Sequence, residues 1–173
     1  MLIRRELPTD IPAIREVHDA AFAKPDAPGE PTMEAGLVDA LRACDAWLPP
    51  LSLVATAADG SVVGHVVCTR ASVGPAPVLG LGPLGVLPAH QRRGVGHALM
   101  HAVLGAADAF GEPLVVLLGH RDYYPRFGFR PATELEIISP VPQWGDAFQV
   151  RALTAYSPAI RGAFAYAKPF DEL

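Results

Sequence analysis

A short glycine-containing segment carries the clearest chemical signal in the sequence. The apolar run 84–87 ends at Pro88, and Gln91-Arg92-Arg93-Gly94-Val95-Gly96 then leads into a stretch with helical periodicity. The first turn of a helix leaves about four backbone amides without partners and concentrates a partial positive charge, so an anion placed there is held by directed hydrogen bonds. The two glycines carry no side chain that would keep a phosphate from the backbone, and the two arginines add charge. This segment therefore predicts a site that binds a pyrophosphate group.

A second glycine pattern lies just ahead of this segment. Gly80-Leu81-Gly82-Pro83-Leu84-Gly85 has the spacing GxGxxG, which in dinucleotide-binding domains opens a helix directly after a strand. Here Val86 and Leu87 continue the extended run, and Pro83 opposes the packing that the fingerprint requires. We therefore interpret the pattern as a glycine-rich strand and not as a dinucleotide site.

Hydrophobic periodicity and turn residues predict the order of elements along the chain. From the N-terminus these are a strand at 2–7, a helix capped at Thr9-Asp10, a proline-rich loop at 24–31, a second helix from Thr32, a hairpin of strands 51–57 and 62–72 around Asp59-Gly60, a strand at 78–87, a long helix at 91–110 with Phe110 on its buried side, a strand at 114–118, a short helix at 123–127 ended by Gly128, and strands at 134–139 and 148–155. Residues 156–173 are expected to be irregular or partly paired. The predicted fold class is α/β, with a mixed, mostly antiparallel central sheet flanked by helices.

The strand at 78–87 is unusual because it contains Pro83 and Gly85. Proline inside a strand removes a ladder hydrogen bond, and such runs form bulges or breaks. We expect the disturbed ladder to leave backbone groups of Leu84 and Val86 free for a partner that pairs like an added strand.

Length and composition limit the other classes of function. The chain has 173 residues, a formal charge of -4 and 50% hydrophobic residues, so a single domain spanning 1–173 is expected. The basic residues are scattered, which argues against a nucleic-acid partner, and no apolar run reaches the roughly 18 residues of a membrane span. Cys44 and Cys68 form no CxxC pair and no secretory signal opens the chain, so a cytoplasmic location fits best. His97 and His101 lie one helical turn apart without an HExxH pattern or a third ligand at clear spacing, so no metal is expected.

Two motifs, taken in their order along the chain, resemble those of a known family. Gln91-Arg92-Arg93-Gly94-Val95-Gly96 matches each fixed position of Q/R-x-x-G-x-G/A, the signature with which the Gcn5-related N-acetyltransferases (GNAT) begin the helix after their fourth strand. Tyr123-Tyr124-Pro125-Arg126-Phe127-Gly128-Phe129 is similar to a second hallmark, an aromatic segment ending in Gly-Phe after the fifth strand. The resemblance covers residues 2–129 in element order, and residues 130–173 are expected to complete the sheet. It implies a GNAT-like acyl-CoA acyltransferase fold and N-acetyltransferase activity.

The resemblance also implies roles for particular residues. Acetyl-CoA, the acyl donor, would lie where the fourth and fifth strands separate, with its pantetheine arm along Leu84 and Val86. Its pyrophosphate would lie on the turn formed by Gln91, Arg92, Arg93, Gly94, Val95 and Gly96. The Val86 amide would polarise the thioester carbonyl and stabilise the oxyanion that develops there. Tyr124 matches the family position that protonates the departing CoA sulfur, and Tyr123 is the alternative.

The general base is less defined than the acid. Some family members carry a glutamate on the fourth strand, but residues 78–87 contain no carboxylate. Glu34, in the first turn of the second predicted helix, is one candidate base, and His120 and Asp122 after the fifth strand are others. A water chain from the solvent is a further route for the proton.

The acceptor implied by the resemblance is a primary amine, on a small molecule or a peptide, that attacks acetyl-CoA directly in a ternary complex. A non-catalytic CoA-binding or regulatory domain of the same fold is the alternative. Phe148, Tyr156, Phe164 and Tyr166 would either line an interface between two copies of the chain, giving a homodimer, or close the core of one chain.

Overall fold

The computed structural model describes residues 1–26 and 29–172. Its α-helices are α1 (Ile11–Ala21), α2 (Met33–Arg42) and α3 (Val95–Ala109). Its strands are β1 (Leu2–Arg5), β2 (Ser52–Thr56), β3 (Val62–Val73), β4 (Ala76–Val86), β5 (Leu114–Leu118), β6 (Arg130–Pro131), β7 (Ile137–Ile138), β8 (Phe148–Ala152) and β9 (Gly162–Ala165). Short 3-10 helices cover Pro8–Asp10, Pro49–Leu51, Pro88–His90, Tyr124–Phe127, Ala132–Leu135, Pro142–Ala147 and Lys168–Glu172. Within the described ranges, no helix is long and apolar enough to cross a membrane.

The strands form a mixed sheet in the order β1-β2-β3-β4-β5-β8-β6, and β9 pairs with both β3 and β7. β4 runs parallel to β5 and β7 runs parallel to β9, whereas the other neighbours are antiparallel. The hairpin predicted around Asp59-Gly60 consists of β2 and β3. The predicted mixed, mostly antiparallel sheet flanked by helices is therefore confirmed.

The helices cover opposite faces of this sheet. On β2, Leu53 packs in the same cluster as Leu99 of α3, whereas the next residue, Val54, packs with Ile14 of α1 and Val38 of α2. Successive side chains of a strand point to opposite faces. α3 therefore lies on one face of the sheet, and α1 and α2 lie on the other.

Asp10 stands at the predicted N-cap position of α1, but its side chain does not cap the helix. Asp10 precedes α1, but its carboxylate accepts a hydrogen bond from the Leu7 amide at 2.7 Å and pairs with the Arg4 guanidinium, and it accepts none from the amides of the helix. At α2, by contrast, Thr32 accepts from the Ala35 amide at 3.3 Å, as an N-cap threonine does.

The long helix begins later than predicted. α3 starts at Val95 instead of Gln91, because Arg92 and Gly94 have left-handed backbone angles, with φ of 57° and 83°, that a right-handed helix cannot include. Phe110, predicted on the buried side, is 62% exposed, because it follows the last helical turn.

The C-terminal part departs most from the prediction. Residues 134–139, predicted as one strand, contain the end of a 3-10 helix, Glu136 with a left-handed φ of 55°, and the two-residue strand β7. β8 ends at Ala152 and not at residue 155. Of the loop predicted at 24–31, residues 27 and 28 lie outside the described ranges.

The C-terminal aromatic side chains close the core of this chain. Phe148 and Phe164 are buried in one cluster, with their ring centroids 5.4 Å apart, and Tyr156 and Tyr166 pack against that cluster. Phe148 and Phe164 therefore belong to the core of this chain, and Tyr156 and Tyr166 lie partly buried at its edge.

Candidate active site

A cleft opens between β4 and β5. The two strands pair through Leu79 with Val115 and through Gly80 with Val116, after which β4 continues for six residues along β3. Beyond these pairs the strands separate around a cleft of about 1340 Å³ that both of them line. The separation predicted for these strands is therefore present.

The disturbance predicted in the fourth strand is a bulge. Gly82 and Pro83 stand opposite the single residue Val67 of β3. The six residues of the GxGxxG pattern all lie within β4, and the strand continues past them. This confirms that the pattern belongs to a strand and does not begin a helix.

The end of β4 directs two amides toward the cleft. The Leu87 amide donates to the Val63 carbonyl at 3.0 Å, so it points toward β3. Backbone groups alternate in direction along a strand, so the amides of Leu84 and Val86 point away from β3, into the cleft. The Gln91 side-chain amide donates to the Val86 carbonyl at 3.0 Å. The first residue of the glycine motif thus braces the strand end, a role that its place in the motif does not reveal.

The turn between β4 and α3 presents backbone donors. The first hydrogen bond of the helix runs from the Ala98 amide to the Gly94 carbonyl at 2.9 Å, so the amides of residues 95–97 precede it and have no acceptor within the helix. Left-handed backbone at Arg92 and Gly94 curves the turn into a concave shape that suits an anion. The side chains of Arg92 and Arg93 are exposed beside this turn.

The two motif glycines are needed for different reasons. Gly94 has a φ of 83° and a Cβ there would meet nothing within 4 Å, so the backbone angle, and not crowding, favours glycine. A Cβ at Gly96 would lie 2.9 Å from the Tyr123 hydroxyl. The turn between β4 and α3 is therefore open at Gly94 and bordered at Gly96 by the Tyr123 hydroxyl.

Tyr123 and Tyr124 both line the cleft, at different places. The Tyr124 ring lies so close to Gly119, directly after β5, that a Cβ on Gly119 would collide with it. Burial, with a smaller contribution from Tyr123, raises the pKa of Tyr124 to about 12. Burial raises the pKa of Tyr123 as well, and the Arg126 guanidinium lies 4.9 Å from its ring centroid. Both hydroxyls are therefore protonated at neutral pH and able to donate.

Two polar residues of β8 hold the tyrosine segment. The Gln149 side-chain amide donates to the Gly119 carbonyl at 3.2 Å, and Arg151 donates to the Phe127 carbonyl at 2.5 Å. Sequence reasoning did not assign either residue to the site. The sequence pattern that could have identified them is the alternation of Gln149 and Arg151 with apolar residues in a predicted strand, because residues two apart in a strand lie on one face.

The other half of the cleft is bordered by the two N-terminal helices and the C-terminal segment. Its lining includes Ala21, Phe22, Glu34, Leu37, Trp144, Tyr166, Phe170 and Asp171. Of the three candidate bases, Glu34 and His120 line the cleft, whereas Asp122 lies outside its lining and its backbone carbonyl accepts from Arg126 at 3.0 Å.

The paired histidines of α3 belong to an aromatic cluster. His97 and His101 are exposed, and their ring centroids lie 4.9 and 5.3 Å from that of Phe127. Across residues 1–26 and 29–172, no three His, Cys, Asp or Glu side chains are grouped closely enough to hold a metal ion.

Comparisons with known proteins agree with this geometry. Residues 13–129 match the sequence profile of the acetyltransferase (GNAT) family. The chain is 33% identical to YjhQ, an uncharacterized N-acetyltransferase of Escherichia coli, over 93% of this chain and 89% of that protein. The crystal structure of Escherichia coli YhbS in complex with CoA gives a TM-score of 0.87 at 31% identity, covering 98% of this chain and 91% of that one. A GNAT family acetyltransferase from Brucella melitensis in complex with acetyl-CoA gives a TM-score of 0.78 at 37% identity, covering 98% of this chain and 97% of that one.

Proposed function

The chain belongs to the acetyltransferase (GNAT) family and is an acyl-CoA acetyltransferase, and on that premise we propose that it acetylates a primary amine by direct attack in a ternary complex. The observation that carries the proposal is the placement of two donors on opposite sides of one cleft. The Val86 amide enters it from β4, and Tyr124 lines it beside the end of β5. One donor suits the carbonyl oxygen of a thioester and the other suits its sulfur.

We place the acyl donor along β4 and the turn that follows. The pantetheine arm pairs with the free edge at Leu84 and Val86 like an added strand. The diphosphate accepts hydrogen bonds from the amides of residues 95–97, and the exposed Arg92 and Arg93 attract it. The open turn at Gly94 supports this placement, as do the CoA and acetyl-CoA complexes of the two similar structures.

The chemistry that this placement supports is acyl transfer with general-acid assistance. The amine nitrogen forms a bond to the thioester carbon while the carbon–sulfur bond breaks. The Val86 amide stabilises the negative charge that develops on the carbonyl oxygen. An amine that enters as an ammonium ion first loses one proton to a base, which frees its lone pair for attack. Tyr124 gives its proton to the departing sulfur and is reprotonated from solvent, and the attacking nitrogen releases its second proton to solvent.

We propose that the amine enters from the half of the cleft bordered by α1, α2 and the C-terminal segment. Two carboxylates, Glu34 and Asp171, and the aromatic rings of Phe22, Tyr166 and Phe170 line this half. Such a lining favours a cationic amine through charge and cation–π attraction. Glu34 is the base candidate that this entry route supports, with His120 or solvent water as the other routes for the proton.

A panel of amines tests the proposal. Purified protein is mixed with acetyl-CoA and each amine, and release of free CoA is followed with a thiol reagent. We expect release that depends on at least one primary amine, whereas its tertiary, dimethylated analogue gives none because it cannot form a stable amide. Saturable binding of acetyl-CoA without amine-dependent CoA release for any member of a broad panel would contradict transfer to an amine and favour a CoA-binding domain.

A further inference from the structure

A chain of buried polar side chains lies behind the reaction end of β4, on the face covered by α1. His18 of α1 and His65 of β3 are both 0% exposed, and His18 Nε2 lies 2.8 Å from His65 Nδ1. His65 Nε2 lies 2.9 Å from Ser52 Oγ, and the Ser52 hydroxyl donates to the Glu6 carboxylate. Burying so many polar groups is unfavourable unless each finds a partner.

The Glu6 carboxylate lies at one end of this row of hydrogen-bonded side chains. It fixes the direction of every hydrogen bond in the row. Against the effect of burial, the nearby His65 Nε2, which lies 3.4 Å from Glu6 Oε2, and hydrogen bonds from Arg42 and Ser52 lower the pKa of Glu6 to about 2, so this carboxylate only accepts. Because Ser52 donates its single proton to Glu6, His65 must donate to Ser52 through Nε2. Burial lowers the pKa of both histidines, so each is neutral and carries one N–H. His65 Nδ1 therefore accepts from His18 Nε2, which leaves a bare lone pair on His18 Nδ1.

That bare nitrogen faces the backbone of β4. Within the part of the chain that the structure describes, His18 Nδ1 is buried without a hydrogen-bond partner. A Cβ at Gly85 would lie 2.8 Å from His18 Nδ1 and 3.0 Å from His18 Cε1. The imidazole therefore fills the space that a side chain at position 85 would occupy. Gly85 pairs with His65 across the ladder and lies between Leu84 and Val86.

The same imidazole also supports the acceptor half of the cleft. His18 stacks on Phe22, with ring centroids 5.9 Å apart and an interplanar angle of 18°, and Phe22 lines the cleft. One side chain thus contacts both the strand that carries the Val86 amide and the wall that the amine would pass.

We propose that His18 is a positioning residue, oriented by the hydrogen-bonded chain from Glu6, that holds the Gly85 backbone so that the Val86 amide stays aimed at the bound thioester. The inference rests on the role of Val86 in the proposed function. An apolar side chain would fill the same space but would lack the hydrogen bond at Nε2 that fixes the imidazole plane. A displacement of about 1 Å at a reacting group lowers a rate by on the order of 100-fold.

The test compares His18→Leu with His18→Gln in the full chain. Glutamine can still donate an amide N–H to His65 Nδ1, whereas leucine packs without a donor. The primary readout is the carbonyl stretching frequency of bound acetyl-CoA, ¹³C-labelled at the acetyl carbonyl, measured by infrared difference spectroscopy. It reports the hydrogen bond to the carbonyl directly and needs no acceptor.

We expect wild-type protein to lower that frequency and His18→Leu to lose most of the shift. With an amine that turns over in the panel, kcat of His18→Leu falls about 10- to 100-fold while acetyl-CoA affinity, measured by calorimetry, changes less than about three-fold. His18→Gln keeps most of the shift and of kcat. Glu112→Gln is the matched control, because it weakens the partly buried pair of Glu112 with Arg70, outside the cleft lining, and leaves the frequency unchanged.

Two results overturn this inference: a wild-type frequency in His18→Leu, or the same loss in His18→Gln as in His18→Leu. A wild-type protein that binds acetyl-CoA without any shift instead contradicts the role of Val86, so the two failures are distinguishable. If His18→Leu does not fold, His65→Leu takes its place, because it removes the anchor and leaves the imidazole of His18. If the carbonyl frequency in His65→Leu equals that in the wild type, the inference is overturned in the same way.

Discussion

Two tyrosines that are neighbours in the sequence have different surroundings in the structure. The Tyr124 ring lies on Gly119 beside the separated strands, whereas the Tyr123 hydroxyl lies beside Gly96 at the start of α3. We propose that the Tyr124 hydroxyl serves the sulfur of the thioester and that the Tyr123 hydroxyl serves the diphosphate. Sequence order alone does not distinguish them, because both residues belong to the same aromatic segment.

Replacing each hydroxyl separately assigns the two roles. We expect Tyr124→Phe to lower kcat about 100-fold with little change in acetyl-CoA affinity, because it removes the proton donor. Tyr123→Phe, the matched control, weakens acetyl-CoA binding a few-fold and leaves kcat nearly unchanged. Because the pKa of Tyr124 is about 12, its ionisation adds no falling limb to the wild-type rate between pH 8 and 10. A loss of kcat in Tyr123→Phe alone would make Tyr123 the acid.

Some site residues follow from the sequence and others do not. The backbone donors at residues 95–97 follow from a glycine motif at a strand-to-helix turn, because helix starts leave amides unpaired. The hydrogen bond from the Gln91 side chain to the Val86 carbonyl cannot be predicted from the sequence, because it depends on how the turn folds back toward β4. The burial of His65 is likewise hidden, since its strand has apolar residues on both faces.

Single elements show the same division between local and tertiary causes. The bulge at Gly82 and Pro83 follows from proline chemistry, which acts locally. The delayed start of α3 does not, because Arg92 adopts a left-handed φ of 57° that non-glycine residues rarely take. The short strands β6 and β7 escape prediction because two residues carry no periodicity.

The end of β5 offers a prediction about how an element positions a side chain. Gly119→Ala should push the Tyr124 ring from its place, lowering kcat at least about 10-fold and the free energy of unfolding by about 1 to 3 kcal/mol. Gly105→Ala is the control, since Gly105 lies on the exposed side of α3 and a Cβ there meets nothing within 4 Å. It should raise the free energy of unfolding by about 0.5 to 1 kcal/mol and leave kcat unchanged. Denaturant titration and turnover of both variants check this, and equal effects would contradict it.

Across the whole molecule, the two buried histidines make stability depend on pH. Both are neutral in the folded protein, with the pKa of His18 lowered by burial to about 2, while the unfolded value is 6.5. Below pH 6.5 the unfolded chain therefore binds more protons than the folded one, and the free energy of unfolding falls as pH falls. Glu6 affects stability at lower pH. Its stabilising effect is complete above pH 4.5, its unfolded pKa, and is lost as the pH falls toward its folded pKa of about 2.

The expected slope between pH 6.5 and 4.5 is up to about 1.4 kcal/mol per pH unit for each histidine. Denaturant unfolding at several pH values measures it, in the wild type and in His18→Leu/His65→Leu. The variant should show a flatter dependence, because leucine does not titrate. Identical slopes in the two proteins would show that these histidines are not neutral and buried as described.

We infer that main-chain donors on β4 and at the start of α3 hold acetyl-CoA. The most direct test is a titration of ¹⁵N-labelled protein with acetyl-CoA, followed by the amide resonances in two-dimensional NMR. We predict saturable shifts at Leu84, Val86, Val95 and Gly96 that are among the largest in the spectrum. Saturable binding that leaves these four amides unmoved, or no binding at all, would show that acetyl-CoA does not lie on these donors.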